Sequence, residues 1–378
     1  MYPDQFLTSR MDEQPSSSPL SQFSTKEKTD FSTNDYLGIR TNQLIQQYYS
    51  IKELQSRDKS LTNINNSRLI QETENMIAEI HNADAALFFN SGYSANLGIM
   101  SAVPQRGDTI FYDSQSHPSI RDGIRLCMGD AFAYEHNDLN DLDIKLKKAK
   151  GNIFVITESV FPIDGELAPL SEMAEICNCQ GAHLVVDESH AIGVIGGHGL
   201  GLVQELRLES RIFARTHSFG KAMGTIGAVI LGSDKLKKYL INFARPFIFS
   251  TCLSESAIEA IRASYQIIPT LSSERERLFQ LILRFQTSDI QFEKLPGSTP
   301  IQGCFIRGNH ELKSVTERLK KDHLDTIPVS TPTVPKGKER LLVHLHSFNT
   351  MDELRLLTDT LNGCNNLNSS STSSVHGK

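Results

Sequence analysis

The sequence predicts an α/β fold: a large domain on a mostly parallel sheet, then a smaller α+β domain. Three observations carry this. Short Val/Ile-rich runs alternate with helix-like stretches from about residue 72 to residue 232. The runs are apolar throughout, as strands covered on both faces must be. Beyond residue 254 the alternation gives way to two long helical stretches and then short strands. A chain of 378 residues, 39% of them hydrophobic, can bury a sizeable core in two domains.

Taken in order, residues 1–29 are polar, with the run Ser16-Ser17-Ser18-Pro19, and a flexible segment is expected over 1–40. Within it, 30–38 reads as a short strand closed by a turn. A helix is predicted at 43–60 and another at 72–81, where Met76, Ile77 and Ile80 share a face. Strands are predicted at 85–89, 108–112, 152–157, 183–187, 211–217 and 227–232, with helices opening near 90 and at 119–128 and 169–180. The large domain is thus expected over 41–250. Helices at 255–269, 273–287 and 311–322 and strands near 291–295, 299–307 and 340–345 define the small domain, 251–363. The Asn/Ser-rich stretch 364–378 is expected to be a disordered tail.

Composition excludes several classes. A formal net charge of −6 gives no support to nucleic-acid binding. No apolar run approaches the roughly 20 residues of a membrane span. The N-terminus has neither a basic n-region nor an apolar h-region, so a cytoplasmic protein is expected. The six cysteines form no C-x-x-C pair and no metal-ligand spacing, so no metal is expected.

The chemistry centres on Thr216-His217-Ser218-Phe219-Gly220-Lys221-Ala222. Lysine is costly to hold among small apolar residues. A desolvated lysine loses its proton readily and can form a Schiff base with an aldehyde. Pyridoxal 5'-phosphate (PLP) is the aldehyde whose needs the surrounding residues meet: a lysine, an acid for the pyridinium nitrogen, a flat group against the ring, and phosphate donors. Asp187 ends a strand, His190 follows it, and His117 follows another strand. The stretch from Asn90 to Asn96, with Ser91, Gly92 and Tyr93, feeds a strand into a helix N-terminus, a natural anion cradle. Each feature also has an ordinary reading: Asp187 as a helix cap, the histidines as satisfied side chains, residues 90–96 as a plain N-cap turn. Three titratable groups placed just after strands of one sheet favour the joint reading. The run Gly196-Gly197-His198-Gly199-Leu200-Gly201 does not fit G-x-G-x-x-G, so a dinucleotide fold is a poor reading.

The strings Asp187-Glu-Ser-His190-Ala-Ile-Gly193 and Thr216-His-Ser-Phe-Gly-Lys221-Ala resemble the α-oxoamine synthase family of fold type I PLP enzymes. So do Asn34-Asp-Tyr-Leu-Gly38, Phe89-Asn-Ser-Gly-Tyr-Ser-Ala-Asn96, His117-x-Ser-x-x-Asp-Gly123, Val160-Phe-Pro-Ile-Asp-Gly165, Phe249-Ser-Thr251 and Pro332-Thr-Val-Pro335-x-Gly337. The resemblance spans about residues 30–362 and is nearest the branch that joins L-alanine to a pimeloyl thioester, with loss of CO2, in biotin synthesis. It implies Lys221 as the Schiff-base lysine and α-proton base, Asp187 as the pyridinium partner and His117 as the ring stacker. His190 would bond the ring oxygen or the incoming carbonyl, and Glu158 and Ser159 would lie near the ring. Ser91, Gly92, Tyr93 and Ser218 would lie at the phosphate. Thr251 would reach the phosphate of the neighbouring subunit of a homodimer. The implied partners are an amino acid and an acyl-CoA or acyl-carrier thioester.

Two departures stand out. The family's glycine-rich stretch before the second helix is here 56–67, without a single glycine. The family's Arg-Leu-Arg strand reads Arg340-Leu341-Leu342, so the second arginine, which pairs the substrate carboxylate, is a leucine. A leucine cannot offer the two parallel hydrogen bonds of a guanidinium. Four outcomes are open at this point: a synthase holding its carboxylate by another basic group, a synthase with glycine, serine or another acceptor, a PLP-binding homologue without turnover, and an aminotransferase on the same fold.

Overall fold

The computed structural model describes residues 28–52 and 68–371. It opens with β1 (Thr29–Asp30). The large sheet comprises β2 (Ala85–Phe89), β3 (Thr109–Asp113), β4 (Asp130–Tyr134), β5 (Ile153–Glu158), β6 (His183–Asp187), β7 (Ala214–Ser218) and β8 (Ala228–Gly232). Their spatial order is β2-β8-β7-β6-β5-β3-β4. Only β8 runs against its neighbours, β2 and β7; the other pairs are parallel. The C-terminal ends of β2, β3, β5, β6 and β7 therefore share one edge, where ligands of such sheets collect.

Strand periodicity explains why the sheet is covered on both sides. Side chains alternate faces along a strand. Ala86, Phe88, Val155, Leu184, Val186, Val229 and Leu231 enter one apolar cluster. Their neighbours Leu87, Phe89, Phe154, Ile156, Val185, Ala228 and Ile230 enter a second. Each run is apolar throughout because both of its faces are core.

The second part carries an antiparallel sheet in the order β11-β12-β9, built from β9 (Ile301–Phe305), β11 (Ile327–Val329) and β12 (Arg340–His344). Between these, β10 (Leu324–Asp325) pairs in parallel with β1. That pairing corrects the expected flexible segment 1–40. Residues 29–40 are built into the fold, with Phe31, Tyr36, Leu37 and Ile39 fully buried; residues 1–27 lie outside the described residues. The expected tail 364–378 is corrected over 364–371, and 372–378 lies outside the described residues. The last helix runs Met351–Ser371, so 364–371 is helical, and Leu354, Leu357, Leu361 and Cys364 are buried at helical spacing. The predicted helix 43–60 is seen as Leu44–Lys52, and 53–67, including the glycine-free stretch, lies outside the described residues. Among the described residues, no helix is long and apolar enough to cross a membrane.

Candidate active site

Asp187 is the last residue of β6, in register with Glu158 of β5 and Thr216 of β7. It is buried, and its carboxylate accepts from the Ser189 backbone N–H at 2.8 Å and from Asn96 Nδ2 at 2.6 Å. An ionised carboxylate has about four lone-pair sites, so acceptor capacity remains. The neighbouring Glu158 carboxylate is buried and accepts from the His117 backbone N–H at 2.7 Å. Burial, reinforced by the Asp187 charge, holds the Glu158 carboxyl well above its usual range. Ser159 is also buried and donates both its N–H and its hydroxyl to the Asp187 carbonyl, at 2.9 and 3.3 Å.

His117 follows β3 and caps the helix Pro118–Leu126, its Nδ1 accepting from the Ser119 backbone N–H. Proline at the first helical position suits this turn, because that N–H would have no partner. His190 lies in the turn after β6, buried, with Nδ1 2.9 Å from the Tyr36 hydroxyl. Burial, with the charge of Lys221 next, pushes His190 well below the usual histidine range, so its imidazole is neutral.

Lys221 follows β7 and is half-buried. Burial lowers its pKa, while Asp187 and Glu158 oppose the shift. The two carboxylates and the lysine thus sense one another across the sheet edge. Among the described residues, no hydrogen bond or ion pair occupies the Lys221 ammonium, which leaves the amine available.

Ser91 is the N-cap of the helix Gly92–Ala102 and accepts from the Ser94 backbone N–H. A Cβ added at Gly92 would stand 2.9 Å from Ser218 Cβ, so the absence of a side chain keeps this cradle open. The Ser218 N–H donates to Ser189 Oγ at 3.2 Å. Tyr93 is 45% exposed, with its hydroxyl bonded to Asp122. Thr251 is exposed, and the Asn90 amide donates to its carbonyl.

These residues fit PLP. Among the described residues, Lys221 is free and the buried Thr216 hydroxyl beside Asp187 has no partner, while Asp187 keeps acceptor capacity and Gly92 leaves room. The lost family arginine is not restored by its neighbour. Leu342 packs with Leu295, Val329 and Val334. The Arg340 guanidinium lies 4.9 Å over the Phe305 ring and donates to the carbonyls of Lys338 and Ile163 at 3.1 and 3.3 Å. Asn96, Ser119 and Ser189 contact these candidate residues; Asn and Ser give no pattern of their own, and only the motif strings around Asn96 and Ser119 hint at them. Tyr36 lay within the Asn34–Gly38 string without an assigned role.

Residues 26–355 match the family described as aminotransferase class I and II. The chain belongs to that family, and within it to the α-oxoamine synthases. It is similar to the 8-amino-7-oxononanoate synthase of Lysinibacillus sphaericus, 35% identical over 338 residues that cover 86% of each chain. The enzyme of the same name from Emericella nidulans is 36% identical over 363 residues, 88% of each chain. Among solved structures, the 8-amino-7-oxononanoate synthase of Francisella tularensis superposes with a TM-score of 0.77 at 26% identity, covering 91% of this chain and 99% of that one. Serine palmitoyltransferase of Sphingomonas wittichii shares the fold, with a TM-score of 0.83 at 22% identity over 91% and 89% of the two chains.

Proposed function

We propose that this protein is a PLP-dependent 8-amino-7-oxononanoate synthase, joining L-alanine to a pimeloyl thioester with release of CO2 and the free thiol, a step of biotin synthesis in the cytoplasm. The observation that carries the reading is the convergence of Lys221, Asp187, Glu158, His117 and His190 at one sheet edge, in a chain about a third identical to synthases of that name over most of its length. When bound, the cofactor supplies an electron sink for the carbanion formed at the amino acid's α-carbon.

The protein's own residues supply the rest. Lys221 tethers the aldehyde, and once displaced its amine takes the α-proton; a lowered pKa suits both tasks. Asp187, oriented by two donors, keeps the pyridinium nitrogen protonated. His117 lies against the ring. Neutral His190, held by Tyr36, is oriented toward the ring oxygen or the thioester carbonyl. Ser91, Gly92, Tyr93 and Ser218 receive the phosphate at the positive end of the helix Gly92–Ala102. Thr251, exposed in the single chain beside Phe249 at 79% exposure, is assigned to the phosphate of the neighbouring subunit in a homodimer. Leu342 cannot pair the amino-acid carboxylate, so on this reading another basic group must hold it.

The test supplies PLP, pimeloyl-CoA and L-alanine, glycine or L-serine, and follows thiol release and product mass. L-Alanine is expected to give thiol and the decarboxylated amino ketone. No thiol release with any of the three amino acids would overturn the reading.

A further inference from the structure

Asn96 stands between two members of the site. Its Nδ2 lies 2.6 Å from Asp187 Oδ2 and 3.0 Å from Ser119 Oγ. A carboxylate oxygen only accepts, so the amide nitrogen must be the atom facing Asp187. That nitrogen carries two hydrogens, one for Asp187 and one for Ser119 Oγ. The Ser119 hydroxyl then has one hydrogen of its own to place, and His117 Nδ1 is 2.7 Å away. The Ser119 backbone N–H also points at Nδ1, at 3.2 Å. A backbone N–H can only donate, so Nδ1 presents a lone pair, and a neutral ring carries its hydrogen on Nε2.

The chain is built to hold this contact. Asn96 and Ser119 come from the helices Gly92–Ala102 and Pro118–Leu126, and both side chains are buried. The helices approach closely at Gly123, where a Cβ would stand 2.7 Å from Met100 Cβ and 3.1 Å from the Asn96 carbonyl. The groups around His117 are Glu158, which takes its N–H, and the charges of Asp187, Lys221 and Asp122. Burial pushes its imidazole below the usual histidine range, with Lys221 adding to the push and the two aspartates opposing it.

We infer that Asn96 and Ser119 are positioning residues, a relay from Asp187 to His117 that fixes His117 as the neutral Nε2–H form. His117 then meets the substrate as a hydrogen-bond donor, not as a base. The functional half of this inference rests on the PLP reading; the tautomer does not.

The experiment is 15N NMR of the full chain labelled in histidine, without cofactor, with the His117 pair assigned through His117→Asn. Wild type is expected to show an imine-like Nδ1 and a protonated Nε2. Ser119→Ala and Asn96→Ala keep the backbone N–H donor, so both are expected to shift part-way toward averaged signals. With cofactor, kcat/KM is expected to fall about tenfold, the cost of one hydrogen bond to a charged or buried partner. Ser119→Thr keeps the hydroxyl and is expected to restore both readouts. A wild-type proton on Nδ1, or variants that keep the wild-type pattern, would overturn the relay. So would an altered tautomer with an unchanged rate. If Asn96→Ala does not fold, the Ser119→Ala and Ser119→Thr pair decides alone. Because the NMR arm needs no cofactor, failure of the relay is distinct from failure of the synthase reading.

Discussion

The Tyr36 hydroxyl lies 2.9 Å from Nδ1 of His190 and 2.9 Å from Asn34 Oδ1, joining the first described segment to the turn after β6. Both groups are buried. Tyr36→Phe leaves the imidazole nitrogen and the amide oxygen short of a partner. The expected loss is about 1–3 kcal/mol of stability, read as a lower urea midpoint at unchanged slope. The Michaelis constants should rise as well, because His190 loses its orientation. An unaltered midpoint would mean that the contact contributes nothing.

Gly92 offers a sharper test of the phosphate cradle. Its missing Cβ would meet Ser218 Cβ at 2.9 Å and Ser218 Oγ at 3.2 Å. Gly92→Ala must displace Ser218, and overpacking of this kind costs about 1–3 kcal/mol. PLP affinity, measured by equilibrium dialysis, should weaken by about tenfold or more. Wild-type affinity would remove Gly92 from the phosphate site.

How far the sequence discloses all this varies by element. The predicted strand at 183–187 coincides with β6, and 227–232 begins one residue before β8, because continuous Val/Leu/Ile runs have few other places to go. By contrast, β4, with the sequence DAFAY, was missed. It is an edge strand, so only one neighbour and part of one face constrain its residues, and most stay at least partly exposed. The helix Asp234–Phe243 and the last helix also escaped notice. In the latter, Leu354, Leu357 and Leu361 share a face, but Asn and Ser dominate the part beyond Leu361. Within the candidate site, Lys221, Asp187 and the histidines stand out in the sequence because their chemistry is costly and they follow strands. The contact of Asn96 with Asp187 was not, since it depends on how a helix passes over a sheet, which no local pattern encodes.

A pH dependence follows from His136, which sits between Asp113 (2.9 Å), Glu166 (3.2 Å) and Asp164 (3.4 Å). The loop it holds also meets the second part of the chain, where Thr299 Oγ1 donates to the Gly165 carbonyl at 3.0 Å. Burial disfavours the imidazolium, but hydrogen bonds and charges from Asp113 and Asp164 outweigh it and push the pKa from 6.5 up to about 10. A raised folded-state pKa stabilises fully below the unfolded value and is lost as pH climbs through the folded one. The thermal midpoint should therefore decline from pH 6.5 toward about pH 10, and His136→Asn should be less stable at the low end with a flatter profile. A variant profile parallel to that of wild type would contradict the assignment.

The central claim is that the Lys221 amine captures PLP with Asp187 behind the ring, and absorbance of the full chain mixed with the cofactor measures it most directly. The account predicts a band near the border of the ultraviolet and visible that survives dialysis in wild type and is absent in Lys221→Ala. A wild-type protein that stays colourless in excess PLP, or a Lys221→Ala variant with the same band, would contradict it.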